Sequence, residues 1–209
     1  MSQDSHEWVY WRFKNKHEDL GAFGESLWKN AATSAGLFYV ELAALPIVNR
    51  RGPRLQNSEY TLPDFELTGQ RRAYLDSKCK TEPVLFRLAS ELRHGIDRKA
   101  FDSYEAISGI NRQKCFIGIV ELFRDERDPG WSGALLMQSL ASLGKPISGM
   151  SNQRHMVYWP RAKFEEVGKL RPLDLWNVAK GESEPPPEVS QAVKSLVDSK
   201  SPPMQSRFV

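Results

Sequence analysis

The sequence predicts an α/β fold, arranged as an α+β sandwich in which a mixed central β-sheet is flanked by helices. Three observations support this class. Helical and strand-like segments alternate along the chain. Two strand-like runs flank Gly69-Gln70, a dipeptide suited to a hairpin turn. An almost unbroken apolar run at 114–123 has the composition of a central strand that is buried on both faces.

The helices are predicted from apolar side chains that recur every three to four residues. The first begins at Glu18, shows this spacing from Leu20 to Ala31, and has Gly36 as a suitable stop. The second has its apolar residues between positions 84 and 92 and ends at Gly95. The full set of predicted helices is 18–36, 82–95, 97–110, 132–144 and 161–170.

The strands are predicted where β-branched and aromatic residues dominate short runs. They are expected at 37–45, 59–68, 71–80, 114–123 and 155–160. The polar, basic segment 49–57 is predicted to be a loop, and the charged segment 124–131 a turn. The resulting order of helix, strand, hairpin, helix, strand, helix and strand describes a mixed sheet with helices packed on it.

Composition divides the chain of 209 residues into three regions. Residues 1–17 are rich in aromatic and basic side chains and are predicted to form an N-terminal arm. Residues 18–180 are predicted to form the folded domain, which is long enough for a sizeable core. Residues 181–209 are rich in proline and serine, and are predicted to form a flexible C-terminal tail with at most one short helix at 187–199.

Charge and cysteine usage narrow the class of protein. A formal net charge of +3 and a pI of about 8.8 are compatible with an anionic partner but do not require one. Cys79 and Cys115 match no metal-ligand spacing and suggest no disulfide framework. The sequence shows no signal-peptide core and no apolar run of transmembrane length, so we expect a cytoplasmic protein without a membrane partner.

The most informative charges lie on the predicted hairpin. Asp76, Lys78 and Lys80 share one face of their strand, because side chains two residues apart point to the same side. Asp64 follows Pro63 on the neighbouring strand, so two carboxylates are expected to converge beside an ammonium group. Carboxylate oxygens are natural ligands of Mg²⁺, and a lysine beside a metal-bound water suits phosphodiester hydrolysis. The alternative is an exposed ion pair on a surface hairpin.

A proline–aspartate pair, a spacer of about a dozen residues and Asp76-Ser77-Lys78 resemble the motif of the PD-(D/E)xK nuclease superfamily, which includes restriction endonucleases and archaeal Holliday-junction resolvases. The segment Gly21-Ala22-Phe23-Gly24-Glu25 resembles the G-x-x-G-E context on the first helix of that superfamily. The resemblance spans residues 18–122. It implies a restriction endonuclease-like core and a metal-dependent deoxyribonuclease.

The resemblance also implies roles for single residues. Asp64 and Asp76 would be metal ligands, with the main-chain carbonyl of Ser77 as a third oxygen ligand, and Lys78 would be the catalytic lysine. Glu25 would bind a second metal ion or hold a metal-bound water. The implied cofactor is Mg²⁺, for which Mn²⁺ can substitute. Glu66 shares the Asp64 face of its strand and is a ligand if the strand register differs, although a position at the sheet edge is favoured.

Basic residues near the motif are the candidates for nucleic-acid binding, because lysine and arginine clusters supply phosphate contacts. His94 is predicted to lie in a turn after a helix and to contact substrate. Tyr104 and Gln113 are further candidates for substrate contact. In related nucleases a polar residue on the later helix points inward, and the sequence does not identify which one it is here. The full nucleic-acid-binding set is Lys80, Arg50, Arg51, Arg54, Arg71, Arg72 and His94.

The sequence therefore favours a Mg²⁺-dependent DNA endonuclease that cleaves by attack of a metal-activated water. The modest positive charge suggests that a homodimer or a partner protein assists DNA binding. The alternative is a catalytically silent DNA-binding or assembly module with a nuclease-like fold that works with a partner protein. Cleavage of RNA also remains open, although no RNA-binding signature is visible.

Overall fold

The computed structural model describes residues 17–80, 83–86, 90–124, 131–149 and 155–198. Apart from residue 17, the predicted N-terminal arm lies outside the described residues, as do residues 125–130 of the turn predicted at 124–131 and the chain after residue 198. Within the described ranges, no helix has the length and hydropathy needed to cross a bilayer.

The described chain contains helices of very different lengths and mostly short strands. The helices are α1 (His17–Ser34), α2 (Arg98–Asn111), α3 (Leu140–Leu143), α4 (Pro172–Lys180) and α5 (Pro187–Asp198), with 3₁₀ turns at Ile47–Asn49 and Arg161–Lys163. The strands are β1 (Phe38–Glu41), β2 (Phe65–Thr68), β3 (Arg72–Lys80), β4 (Val84–Phe86), β5 (Glu91–Asp97), β6 (Lys114–Arg124), β7 (Trp131–Ser139), β8 (Ile147–Ser148), β9 (Met156–Pro160) and β10 (Glu165–Leu170).

Two sheets organise the molecule. The larger is a six-stranded sheet in the order β1-β2-β3-β6-β7-β10, and it is mixed because β3 and β6 run parallel while its other neighbours run antiparallel. The smaller is an antiparallel sheet in the order β4-β5-β9-β8. Helices α1, α4 and α5 contribute to the core on one face of the large sheet, and α2 and the small sheet to the core on the other. The predicted α/β sandwich class is confirmed.

The run at 114–123 forms β6, the central strand predicted from its composition. Phe116 and Val120 are buried in the core beneath α1, whereas Ile117 and Ile119 are buried in the core beneath α2. Apolar side chains on both faces explain why this run does not alternate with polar residues. The parallel pairing with β3 then fixes which residues of β6 lie beside the Asp76 strand.

Three segments predicted as helices are largely strands. Residues 82–95 contain β4 and most of β5, residues 132–144 contain most of β7 before the single turn α3, and residues 161–170 contain β10. In β7, Leu135 and Met137 enter one core while Leu136 enters the other. A strand buried on both faces shows the same dense apolar sequence as a buried helix, so spacing alone favoured the wrong element.

The short helix anticipated at 187–199 is α5, but it packs on the sheet and is not part of a flexible tail. Its Val189, Val193, Leu196 and Val197 are buried in the core beneath α1. The Arg71 backbone N–H donates to the Val197 carbonyl at 3.1 Å, which ties the end of α5 to the hairpin turn. The packed structure therefore continues to residue 198 and not to the predicted boundary at 180.

Removal of a buried side chain from α5 tests this packing. Leu196→Ala is expected to lower the free energy of unfolding by roughly 2–5 kcal/mol, because it leaves a cavity in the core. Chemical denaturation measures the change. Lys194→Ala, at an exposed position of the same helix, is the control and should change stability by less than about 0.5 kcal/mol. Equal effects of the two substitutions would mean that α5 is not packed on the domain.

Candidate active site

The hairpin register brings Asp64 and Asp76 to one face of the large sheet. Phe65 pairs with Leu75, and extension of that antiparallel ladder by one residue places Asp64 opposite Asp76. Phe65 and Leu75 are both buried beneath α1, so their neighbours on each strand point to the opposite face. The Ser77 backbone N–H donates to Asp64 Oδ2 at 2.6 Å, which fixes the side chain against β3.

The Asp76 carboxylate lies at the centre of this site and is fully buried, with 0% exposure. Its Oδ1 accepts hydrogen bonds from Tyr104 Oη at 2.6 Å and from Lys78 Nζ at 2.8 Å. Its Oδ2 lies 2.7 Å from Lys78 Nζ as an ion pair but has no hydrogen-bond partner among the described residues. One buried carboxylate oxygen thus retains unused coordinating capacity.

Lys78 is held as a cation beside both acids. Its Nζ also donates to the Ser77 carbonyl at 3.2 Å. Burial opposes the charge, but the Asp76 and Asp64 carboxylates outweigh burial and keep the pKa of Lys78 above its usual value. The Lys78 ammonium group is therefore charged where it lies beside the two acids.

Asp64 has the most unusual titration in the site. Burial first, and then the nearby Asp76 carboxylate, raise the pKa of Asp64 to about 7, against lesser opposing contributions from Lys78 and the Ser77 N–H. Two carboxylates in one partly dehydrated place do not both ionise easily. A cation placed between the two carboxylates would relieve this repulsion. The pair is therefore a suitable binding site for a cation.

Glu25 approaches the site from the other side of β3. Helix α1 packs so closely on that strand that a Cβ at Gly24 would lie 3.0 Å from Cys79 Cβ and 3.2 Å from Ser77 Oγ. Glu25 follows directly, is half-buried, and contributes to the raised pKa values of Asp64 and Lys78. The glycine of the G-E pair thus allows the close approach that brings this acid near the hairpin carboxylates.

These residues fit a magnesium ion with few protein ligands. No group of three or more His, Cys, Asp or Glu side chains within the described ranges is arranged to hold a metal ion. Mg²⁺ is commonly held by only one or two carboxylates and keeps several waters. Asp64, Asp76 through an Oδ2 whose one close contact among the described residues is the Lys78 ion pair, and the Ser77 carbonyl would supply such a set.

Glu66 does not belong to this set. It is 1% exposed and forms ion pairs with Arg51 at 3.2 Å and Arg72 at 3.5 Å. Because a buried carboxylate needs such partners, the arginines neutralise Glu66 and leave it no role as a ligand in this register. Arg51 and Arg72 are still about half exposed, and their contact with nucleic acid stays a prediction.

His94 lies elsewhere than predicted. It is on β5 and not in a turn after a helix, and its side chain is 1% exposed. Nε2 lies 2.5 Å from Glu121 Oε2, and Arg161 Nε donates to the same oxygen at 2.8 Å. The predicted substrate contact therefore lacks an exposed surface. The lone acid in the apolar run of β6 was the sequence signal for this missed cluster.

The other predicted basic residues have varied surroundings. Arg50 Nε donates to the Leu45 carbonyl at 3.2 Å, and the Arg54 guanidinium lies 4.7 Å from the centre of the Tyr60 ring. Arg71 lies in the hairpin turn between β2 and β3. Lys80 continues the Asp76–Lys78 face, and burial followed by the nearby Lys78 lowers the pKa of Lys80.

Tyr104 and Gln113, the two further candidates for substrate contact, differ in placement. The Tyr104 hydroxyl reaches Asp76, whereas Gln113 lies between α2 and β6 with a buried Oε1 that has no hydrogen-bond partner among the described residues. The structure thus brings together Asp64, Asp76, Ser77, Lys78 and Tyr104, with Glu25 nearby.

Comparison with known proteins gives only distant likeness, to solved structures. No protein-family model and no curated protein matches the sequence. The structure of Archaeoglobus fulgidus Hjc, a Holliday junction resolvase from an archaeal hyperthermophile, is similar over 65% of this chain and 86% of that chain, with a TM-score of 0.38 and 9% identity. Likeness at this level assigns neither a family nor an activity to this chain.

The raised pKa of Asp64 makes stability depend on pH. The folded-state pKa of about 7 exceeds the ordinary value of 3.8, so the folded protein binds the extra proton more tightly, and the stabilisation present below pH 4 is lost as pH rises through 7. Asp64→Asn removes the titrating group and with it this pH-dependent loss of stability, and the asparagine amide oxygen can still accept a hydrogen bond from the Ser77 N–H. The stability of the variant relative to wild type should rise by about 1–3 kcal/mol from pH 5 to pH 8.

Denaturant unfolding at the two pH values, in buffer with a chelator, measures this difference. Asp102→Asn, at an exposed position on α2, is the control and should show no comparable change. A pH-independent difference for Asp64→Asn would show that Asp64 titrates normally in the folded protein.

Proposed function

We propose that this protein is a metal-dependent deoxyribonuclease, an endonuclease that uses Mg²⁺ to hydrolyse phosphodiester bonds in DNA. The observation that carries the proposal is the convergence of the Asp64 and Asp76 carboxylates on one sheet face, with Lys78 Nζ against Asp76 and the Ser77 carbonyl. The distant structural neighbour is named as a Holliday junction resolvase, and the proposal for this chain does not extend to that activity.

Each residue has a role that follows from its surroundings. Asp64, Asp76 and the Ser77 carbonyl would hold the ion, which supplies a Lewis acid and an activated water when it is bound. Lys78 stays charged and would stabilise the negative charge that grows on the phosphoryl oxygens. Glu25, near the pair but separate from it, would orient a water molecule at the edge of the site.

DNA is the proposed substrate, because the reaction centre carries a cation-binding pair and the chain is mildly basic. Lys80 lies on the same face two residues beyond Lys78 and would contact a flanking phosphate. Arg50, Arg54 and Arg71 would add contacts further along the strand. A homodimer or partner protein would supply the remaining affinity and a second site for the second strand.

Cleavage of supercoiled plasmid with Mg²⁺ or Mn²⁺ tests the activity. Asp76→Ala and Lys78→Ala are each expected to lower the nicking rate by at least about 10²-fold, because they remove a metal ligand and the charge that stabilises the transition state. Gel separation of nicked and supercoiled DNA over time measures the rate.

Glu188→Ala and Lys194→Ala, at exposed positions of α5, match these substitutions in charge and should cleave at the wild-type rate. Equal nicking by all variants would identify a contaminating nuclease. DNA retention without cleavage, with wild-type and Asp76→Ala protein alike, would favour the catalytically silent binding module.

A further inference from the structure

We propose that Tyr104 is a positioning residue that orients the Asp76 carboxylate for the ion and thereby sets the affinity for divalent cations. This inference rests on the proposed function and concerns the same site. It is carried by one hydroxyl that joins helix α2 to both segments of chain on which the two carboxylates lie.

The first contact fixes the carboxylate. Tyr104 is 1% exposed, and its Oη donates to Asp76 Oδ1 at 2.6 Å. A tyrosine hydroxyl carries one hydrogen, so this short bond uses its donor. The bond restricts rotation of the carboxylate group and directs Oδ1 to α2, while Oδ2 keeps, among the described residues, only its 2.7 Å ion-pair contact with Lys78 Nζ.

The second set of contacts holds the segment of chain that precedes Asp64. Tyr104 Oη also lies 3.4 Å from the Leu62 carbonyl, and the neighbouring Ser103 Oγ accepts from the Thr61 backbone N–H at 3.2 Å. Two adjacent residues of α2 thus hold the chain just before Pro63-Asp64. The same helix therefore sets the position of both carboxylates relative to one another.

The hydroxyl is well suited to this task because a phenol stays protonated, and is therefore a hydrogen-bond donor, at neutral pH. Residues that hydrogen-bond a metal ligand from behind typically change metal affinity by about 10–100-fold when they are removed. The expected effect of losing this hydroxyl is of that size.

Tyr104→Phe removes the hydroxyl and keeps the ring that packs in the core beneath α2. Calorimetric titration with Mg²⁺ and with Mn²⁺ should show about 10–100-fold weaker ion binding than wild type. Plasmid nicking should need correspondingly more ion and should approach the wild-type rate when the ion is saturating.

Tyr74→Phe is the matched control. Tyr74 is also 1% exposed, faces the same core from β3, and accepts a hydrogen bond from Asn111 at 3.0 Å instead of contacting Asp76. Its loss should affect stability only and leave ion affinity unchanged. Tyr104→Met provides a second hydroxyl-free side chain if the phenylalanine variant fails to fold.

Wild-type ion affinity in either folded Tyr104 variant would overturn the positioning role while leaving the proposed nuclease intact. Equal weakening in Tyr74→Phe and Tyr104→Phe would also overturn it, because the effect would then be general loosening of the core. Wild-type protein that neither binds the ions nor nicks DNA would overturn both the proposed function and this inference.

Discussion

The antiparallel register between β2 and β3 is the constraint on which the site depends. Pairing of Phe65 with Leu75 buries both side chains beneath α1 and forces the adjacent acids to the opposite face. A shift of one residue would exchange the faces and separate the carboxylates. The bond from the Ser77 N–H to Asp64 Oδ2 links this register directly to the orientation of one acid.

Much of this arrangement could be predicted because it is local in sequence. The turn at Gly69-Gln70, the alternation along β3 and the apolar composition of β6 are all short-range signals. The segments that form β5, β7 and β10 could not be predicted in this way. Their apolar residues are buried on two faces of a sheet or belong to a second sheet. Nothing in their spacing indicates that sheet, which forms only when β5 pairs with β9 across a long stretch of chain.

The partners of the charged groups were less predictable than the groups themselves. Asp76 and Tyr104 are 28 residues apart, and their contact depends on how α2 packs after β5. Glu66 shares a face with Asp64, yet two arginines neutralise it, so charge on the correct face did not identify a ligand. His94 was predicted to lie in a surface turn, but it is buried, and its polar ring is accommodated there by a cluster with Glu121 and Arg161.

The lack of a side chain at Gly24 allows helix α1 to pack closely against strand β3. Even a methyl group there would lie 3.0 Å from Cys79 Cβ, so alanine would require α1 or β3 to shift by a few tenths of an ångström. Because Glu25 is the next residue, such a shift would also change the position of its carboxylate relative to the acids of the hairpin. The absence of one methyl group thereby links the packing of a helix to the electrostatic surroundings of the Asp64 and Asp76 carboxylates, which lie near the third strand from the edge of the sheet.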